Sequence, residues 1–417
     1  MHPFTIVFLG AVVASVALRL WLDRRQIRAV RRHRDRVPPA FADVIAVDVH
    51  RKAADYTVTR TRLAAVETVI EALVLLAWTL GGGLATVDAA WRALDLPAVL
   101  TGVGVLATVV LVSSVIDLPF RIWRTFVIEA RFGFNRMSPG LFLSDQLKSA
   151  ALLLVLGGPL AAVILWLMQA AGAAWWVYAW AVWLAFNLLM VWAWPAFIAP
   201  LFNHFEPLED SSLRARIDTL LERCGFTSRG VFVVDGSRRS GHGNAYFSGF
   251  GRNKRIVFFD TLLRQLSPDE IEAVLAHELG HFKRRHIAKN VLLMAIASLA
   301  GLALLAWLMQ QPWFYAALGV PHVSIHAALA LFILVLPVFT FFLQPLFAHL
   351  SRRHEFEADA FAAANARADD LVSALVSLYR ENASTLTPDP AWSAFHDSHP
   401  PAAERIAHLR GLRARTV

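Results

Sequence analysis

Seven stretches of this 417-residue chain are apolar over about the ~20 residues that an α-helix needs to cross a bilayer. They fall at Phe4–Leu22, Leu63–Leu84, Pro97–Leu118, Ala150–Ala171, Ala174–Ile198, Ala288–Met309 and His326–Ala348. Lipid offers no partners to backbone amides, so segments of this kind are helical and the fold class is mainly α. With 57% hydrophobic and 17% charged residues, the chain does not divide into the two or three soluble domains that its length alone would suggest. The first span lacks a basic stretch before its apolar run and is interrupted by Arg19, so it is read as a retained helix, not a signal peptide.

The loops set an orientation. Asp23–Arg62 carries eleven Lys or Arg residues, and Pro119–Ser149 carries Arg121, Arg124, Arg131, Arg136 and Lys148. The loops of the opposite side carry only Arg92. By the positive-inside rule the N-terminus faces outside and the C-terminus the cytoplasm. The net charge of +8 is thereby explained by the lipid bilayer, with no nucleic acid partner. Four segments follow: five membrane helices in residues 1–198, a polar cytoplasmic region 199–287, two more helices in 288–348, and a second cytoplasmic region 349–417.

Chemistry concentrates where the first polar region enters the sixth span. Ser267-Pro268-Asp269-Glu270 reads as a capping box with proline in the first turn, so the following HELGH, His277–His281, lies on a helix. His277 and His281 then share one face and can grip a single metal ion. Glu278 is offset by about 100° and can reach a water at the metal without being a ligand. Cys224 is the only cysteine, so any metal is held by histidine and carboxylate.

The second polar region opens with Ser351–Ala362, SRRHEFEADAFA, rich in helix formers. Glu355 is the candidate third ligand, since two histidines and one carboxylate form a known catalytic zinc arrangement. Asp359, four residues on, would orient a ligating imidazole through its second nitrogen. Elsewhere, Ser211–Cys224 reads as a helix stopped by Gly225, Val231–Asp235 as a strand, and Ala245–Phe250 with Arg255–Phe259 as a hairpin about Gly251–Lys254. Such a small β-sheet can offer an edge to an extended peptide, although pattern alone favours a purely structural hairpin.

The chain resembles the Ste24-type integral-membrane zinc metalloproteases, the CAAX prenyl protease type 1 group of peptidase family M48. The resemblance runs through Gly133–Asn135, Pro200–Asp210, Gly243–Leu263, HELGH, SRRHEFEADAFA and SHPPAAERI at Ser398–Ile406. It implies seven transmembrane helices enclosing a chamber, with a zinc site at one end. It matches His277, His281 and Glu355 to the zinc ligands and Glu278 to the catalytic glutamate. It also matches His399 to a histidine that steadies the transition state, Arg405 to an arginine that holds the site together, and Asn244, Ala245 and Tyr246 to the edge that binds substrate backbone. The family often has Ser where this chain has Gly241 and Gly243, a difference expected to loosen that edge. His242, His286, His322, His326, His349, His354 and His396 have no matching role and are read as surface or packing residues.

The expected function is zinc endopeptidase action on membrane-associated protein or peptide substrates, prenylated CAAX chains among them, with one Zn²⁺ per chain. The expected location is a bacterial inner membrane with the catalytic side cytoplasmic, or the endoplasmic reticulum membrane in a eukaryote. One alternative is a quality-control membrane protease like the shorter HtpX relatives. Another is a transporter or scaffold with a structural metal; it is disfavoured by the few intramembrane charges (Glu67 and Glu71 lie near one end) and by an intact Glu278.

Overall fold

Long helices run well past the apolar stretches that announce them. In a computed structural model that describes residues 1–248 and 253–413, the first helix, α1, spans Pro3–Arg32, and α2 spans Val47–Trp78. The second membrane crossing is bent: α2 ends before Gly81-Gly82-Gly83, Gly82 takes φ 77°, and α3 (Gly83–Arg92) leaves at 47°. Then follow α4 (Ala98–Glu129), α5 (Pro139–Ala170) and α6 (Gly172–Phe202). With the bent pair taken as one, seven helical segments among the described residues are long and apolar enough to cross a membrane. Their outer faces leave Leu111, Val155 and Ile296 more than half exposed, as lipid-facing side chains should be.

The first polar region starts with β1 (Phe205–Pro207), a strand that the sequence reading missed, followed by α7 (Ser211–Cys224). Asp210 caps α7, and Gly225 closes it in the left-handed conformation at φ 80°. Next come β2 (Thr227–Val234), β3 (Ala245–Ser248) and β4 (Asn253–Phe259). The strand expected at Val231–Asp235 thus begins earlier and ends at Val234; of the turn expected at Gly251–Lys254, Asn253 and Lys254 belong to β4, and Gly251-Arg252 lie outside the described residues. The order is β1-β2-β4-β3, with β2 and β4 parallel and the other pairs antiparallel, so β3 is an edge strand.

After the short α8 (Asp260–Gln265), α9 runs Pro268–Lys283 with the expected capping box complete: Ser267 Oγ accepts from the Glu270 amide, and Glu270 accepts from the Ser267 amide. Glu270 also accepts from Ser373 at 2.6 Å. Burial would lift its pKa, but these hydrogen bonds outweigh burial and hold it below the usual carboxylate value. The chain then forms α10 (His286–Leu308), α11 (Pro312–Ala317) and α12 (Ile325–Asn365). The polar SRRHEFEADAFA segment is therefore no separate element but the polar continuation of the last apolar helix. The chain closes with α13 (Ala368–Glu381), α14 (Pro390–His396) and α15 (Ala402–Arg413).

Two cores result. One joins the membrane helices through Phe8, Val105, Leu165, Leu305 and Leu331. The other joins α7, the sheet, α9, α12 and α13 through Ile217, Phe258, Leu275, Ala362 and Leu375. Between them lies a chamber of about 710 Å³, walled by Arg19, Arg60, Glu67 and Glu71 on the membrane helices and by Tyr379 and His399 from the C-terminal region. Glu67 and Glu71 are not stray charges at a helix end: both face this chamber, Glu67 taking hydrogen bonds from Arg124 and Glu71 standing 3.6 Å from Arg19.

Candidate metal centre

The register of α9 puts His277 and His281 one turn apart on the face that meets α12. Close approach is possible because Gly280 carries no side chain; a Cβ there would stand 3.0 Å from Ala358 Cα and 3.1 Å from its carbonyl oxygen. Across that seam Glu355, 3% exposed, reaches both rings. Its Oε2 is 3.4 Å from His277 Nε2, its Oε1 is 3.3 Å from His281 Nε2, and the two Nε2 atoms are 3.2 Å apart.

These separations identify what the cluster is shaped to hold. Ligand atoms about 2.0–2.1 Å from a tetrahedral zinc lie roughly 3.3–3.4 Å from one another, close to the spacing of the two Nε2 atoms and of each from its nearer Glu355 oxygen. Glu355 Oε2 is buried with ring nitrogens as its close neighbours, His277 Nε2 at 3.4 Å and His399 Nδ1 at 2.8 Å, a setting in which a cation would balance the carboxylate charge. All three side chains thus fit a divalent metal.

Around the triangle the supports are specific. Asp359, fully buried, lies 2.8 Å from His277 Nδ1 and accepts from Arg405, itself buried. Burial opposes a charged imidazole at His277, yet the hydrogen bonds to Asp359 and Glu355 outweigh it and raise the ring to about 9. Glu278 is half-buried, and no hydrogen bond or ion pair engages its carboxylate among the described residues. His399 Nδ1 approaches Glu355 Oε2 to 2.8 Å while its side chain stays 65% exposed toward the chamber. Every residue expected at the metal or beside it, His277, His281, Glu355, Asp359, Arg405 and His399, is brought together.

Asn244, Ala245 and Tyr246 lie apart from that cluster, at the start of edge strand β3. The Asn244 carbonyl accepts from the Phe259 amide, and Tyr246 pairs with Val257. One strand position on, Phe247 packs on Phe282, the neighbour of His281, so the edge runs alongside α9. At Gly243 the amide bonds to Asn382, and a Cβ would fall 2.2 Å from Gln265 Oε1, so a side chain there would displace Gln265. Among the histidines read as surface or packing residues, His242 bridges Asn382 and Glu129, His326 is a buried partner of Asp88, and His286 touches His281. The sequence carried no signal for the last of these, because five residues is off the helical repeat.

A paired-histidine helix with a free glutamate, completed by a carboxylate from a second helix at the mouth of a chamber between membrane helices, defines a membrane-embedded metalloprotease. Residues 26–204 match the CAAX prenyl protease N-terminal region with its five membrane helices, and residues 207–413 match peptidase family M48. The chain is 34% identical to the CAAX prenyl protease 1 homolog of Arabidopsis thaliana over 99% of both sequences. It is 30% identical to CAAX prenyl protease 1 of Saccharomyces cerevisiae over 98% of this chain and 95% of that one. A crystal structure of S. mikatae Ste24p superposes with a TM-score of 0.90 at 30% identity, covering 98% of this chain and 99% of that one. The chain belongs to the CAAX prenyl protease 1 group of peptidase family M48, and it is a multi-pass membrane metalloprotease.

Proposed function

We propose that the metal is zinc, held by His277, His281 and Glu355, and that the chain is an endopeptidase for membrane-attached polypeptides. The observation that carries this is the ligand triangle with an unpaired Glu278 one residue from His277. Zinc in such a site supplies Lewis acidity and makes a nearby water more acidic. Glu278, free of any other partner among the described residues, takes the proton of the attacking water and delivers it to the leaving amine nitrogen. His399, exposed to the chamber, donates to the oxyanion that develops on the scissile carbonyl. Asp359, clamped by Arg405, accepts from His277 Nδ1–H and so keeps its Nε2 lone pair toward the metal. Asn244, Ala245 and Tyr246 hold an extended substrate by strand addition along the open side of β3, a reading supported by its edge position.

The names of the relatives point to chains ending in a CAAX sequence as substrates, and a catalytic mouth that opens on a chamber between membrane helices suits a lipid-anchored peptide. In this reading residues 1–198 and 288–348 form the membrane part, residues 199–287 and 349–417 form the cytoplasmic catalytic part, and the N-terminus lies on the opposite side. Glu278→Gln is expected to retain zinc while losing peptide cleavage by at least about a hundredfold. Metal content and cleavage of a farnesylated CAAX peptide measured on the same preparation decide it, and full activity in that variant would remove Glu278 from the mechanism.

A further inference from the structure

His281 Nδ1 lies 3.0 Å from His286 Nδ1, and His286 Nε2 lies 3.1 Å from Glu357 Oε2. The His286 side chain is 2% exposed and stacks on His354 with ring centroids 4.0 Å apart. Glu357 is flanked by Lys289 at 3.7 Å and Arg353 at 3.4 Å, which favour its ionised form. An ionised carboxylate only accepts, so the hydrogen between Glu357 and His286 sits on His286 Nε2. A neutral imidazole carries one N–H, so His286 Nδ1 presents a lone pair. The hydrogen between the two Nδ1 atoms therefore belongs to His281. This leaves His281 Nε2 bare, facing His277 Nε2 and Glu355.

We propose that His286, backed by Glu357, is a positioning residue that locks His281 in its metal-binding tautomer. The inference rests on the metal reading above and adds to it, because the two imidazoles are set by different devices. His277 is fixed by the buried Asp359 carboxylate, His281 by an imidazole relayed to a half-buried glutamate. The backbone makes the second device possible. Arg285, between α9 and α10, adopts φ 57° and ψ 33°, a left-handed conformation that an arginine takes only under constraint. That reversal folds His286, the first residue of α10, back onto the last turn of α9. The lock on the second histidine is thus built into the end of a membrane-crossing helix.

The test is zinc affinity of the full-length protein in detergent, measured by competition with a chelating indicator. His286→Phe keeps the ring and its stack on His354 but cannot accept from His281, and affinity is expected to fall roughly ten- to a hundredfold. His286→Asn restores an acceptor and is expected to remain within roughly threefold of wild type. Glu357→Ala, on a partly exposed helix face, is expected to lose several-fold, and it decides the matter if the phenylalanine variant fails to fold. Wild-type affinity in His286→Phe, equal losses in the phenylalanine and asparagine variants, or unchanged affinity in Glu357→Ala would each overturn the inference. A wild-type protein that binds no zinc would instead overturn the metal reading beneath it.

Discussion

At His277, burial and hydrogen bonding pull in opposite directions. The ring is 5% exposed, which disfavours its charged form, but Asp359 and Glu355 raise it to about 9 all the same. Before a cation binds, the proton therefore competes for the nitrogen that the metal needs. A raised histidine pKa means that this competitor is present throughout the neutral range and is lost only as pH climbs through about 9. Zinc affinity is accordingly expected to rise with pH up to about 9 and to flatten above it, with a limiting slope near tenfold per pH unit from this one proton. Affinities measured by chelator competition between pH 6 and 10 check it, and a pH-independent affinity over that interval would show that His277 does not hold a competing proton. At Asp359 the same balance runs the other way for a carboxylate: burial works against its charge, but His277 and Arg405 hold it below the usual range. It stays an acceptor, and only an acceptor keeps the His277 lone pair directed at the metal.

Among the elements, the seam between α9 and α12 decides whether there is a site at all. Gly280 to Ala would gain about 1 kcal/mol of helix preference. The added methyl would meet the Ala358 backbone at 3.0–3.1 Å, and backbone cannot swing aside as a side-chain tip can. Overpacking of this kind costs about 1–3 kcal/mol, so the clash is the larger effect and α9 must lift away from α12. Because Glu355 is one turn from Ala358, Gly280→Ala is expected to lower both the melting temperature in detergent and the affinity for zinc. A variant at least as stable and as zinc-avid as wild type would mean that the seam is looser than drawn. How far such elements can be read from the residues depends on where their signals reside. The start of α9 was legible because Ser267, Pro268 and Glu270 act locally. The seam was not, since a glycine leaves no periodic trace of what packs on it. β1 was hidden for a related reason: three residues ending in a proline have little strand preference of their own, and pairing with Phe232–Val234 alone makes them a strand. Nor does any residue pattern announce a left-handed arginine at position 285, and without it His286 could not be assigned to the site.

Over the whole molecule, the first and last parts of the chain meet to deliver His399. The apolar spans made the bundle legible, and the motifs made the metal triangle legible, but nothing in either told that α1 would hold the C-terminal segment. It does so through its polar C-terminal turns. Arg25 donates to both oxygens of Asp389 at 3.0–3.2 Å, Gln26 accepts from the Asp389 amide at 2.7 Å, and Asp23 accepts from the Trp392 indole at 3.2 Å. Asp389 at the same time caps α14 through the amides of Ala391 and Trp392. Arg352, one turn before Glu355 on α12, holds the far end of the segment by the carbonyls of Ser393 and Asp397, two residues short of His399. The exposed ring of His399 thus owes its position beside Glu355 to a clamp on a helix more than 360 residues away in sequence. Removing the clamp should therefore damage catalysis before it damages metal binding, since the proposed ligands all sit on α9 and α12. Asp389→Ala, which loses both the cap and the ion pair, is expected to lower kcat on a CAAX peptide by about ten- to a hundredfold with zinc affinity unchanged, since small misplacements of a catalytic group cost that much. Asp389→Asn keeps a good cap but not the charge and is expected to fall between the two. Steady-state kinetics beside zinc titrations separate the cases: equal loss of metal and rate would mean that α14 supports the ligands themselves, and an unchanged rate would free His399 from any dependence on the first helix.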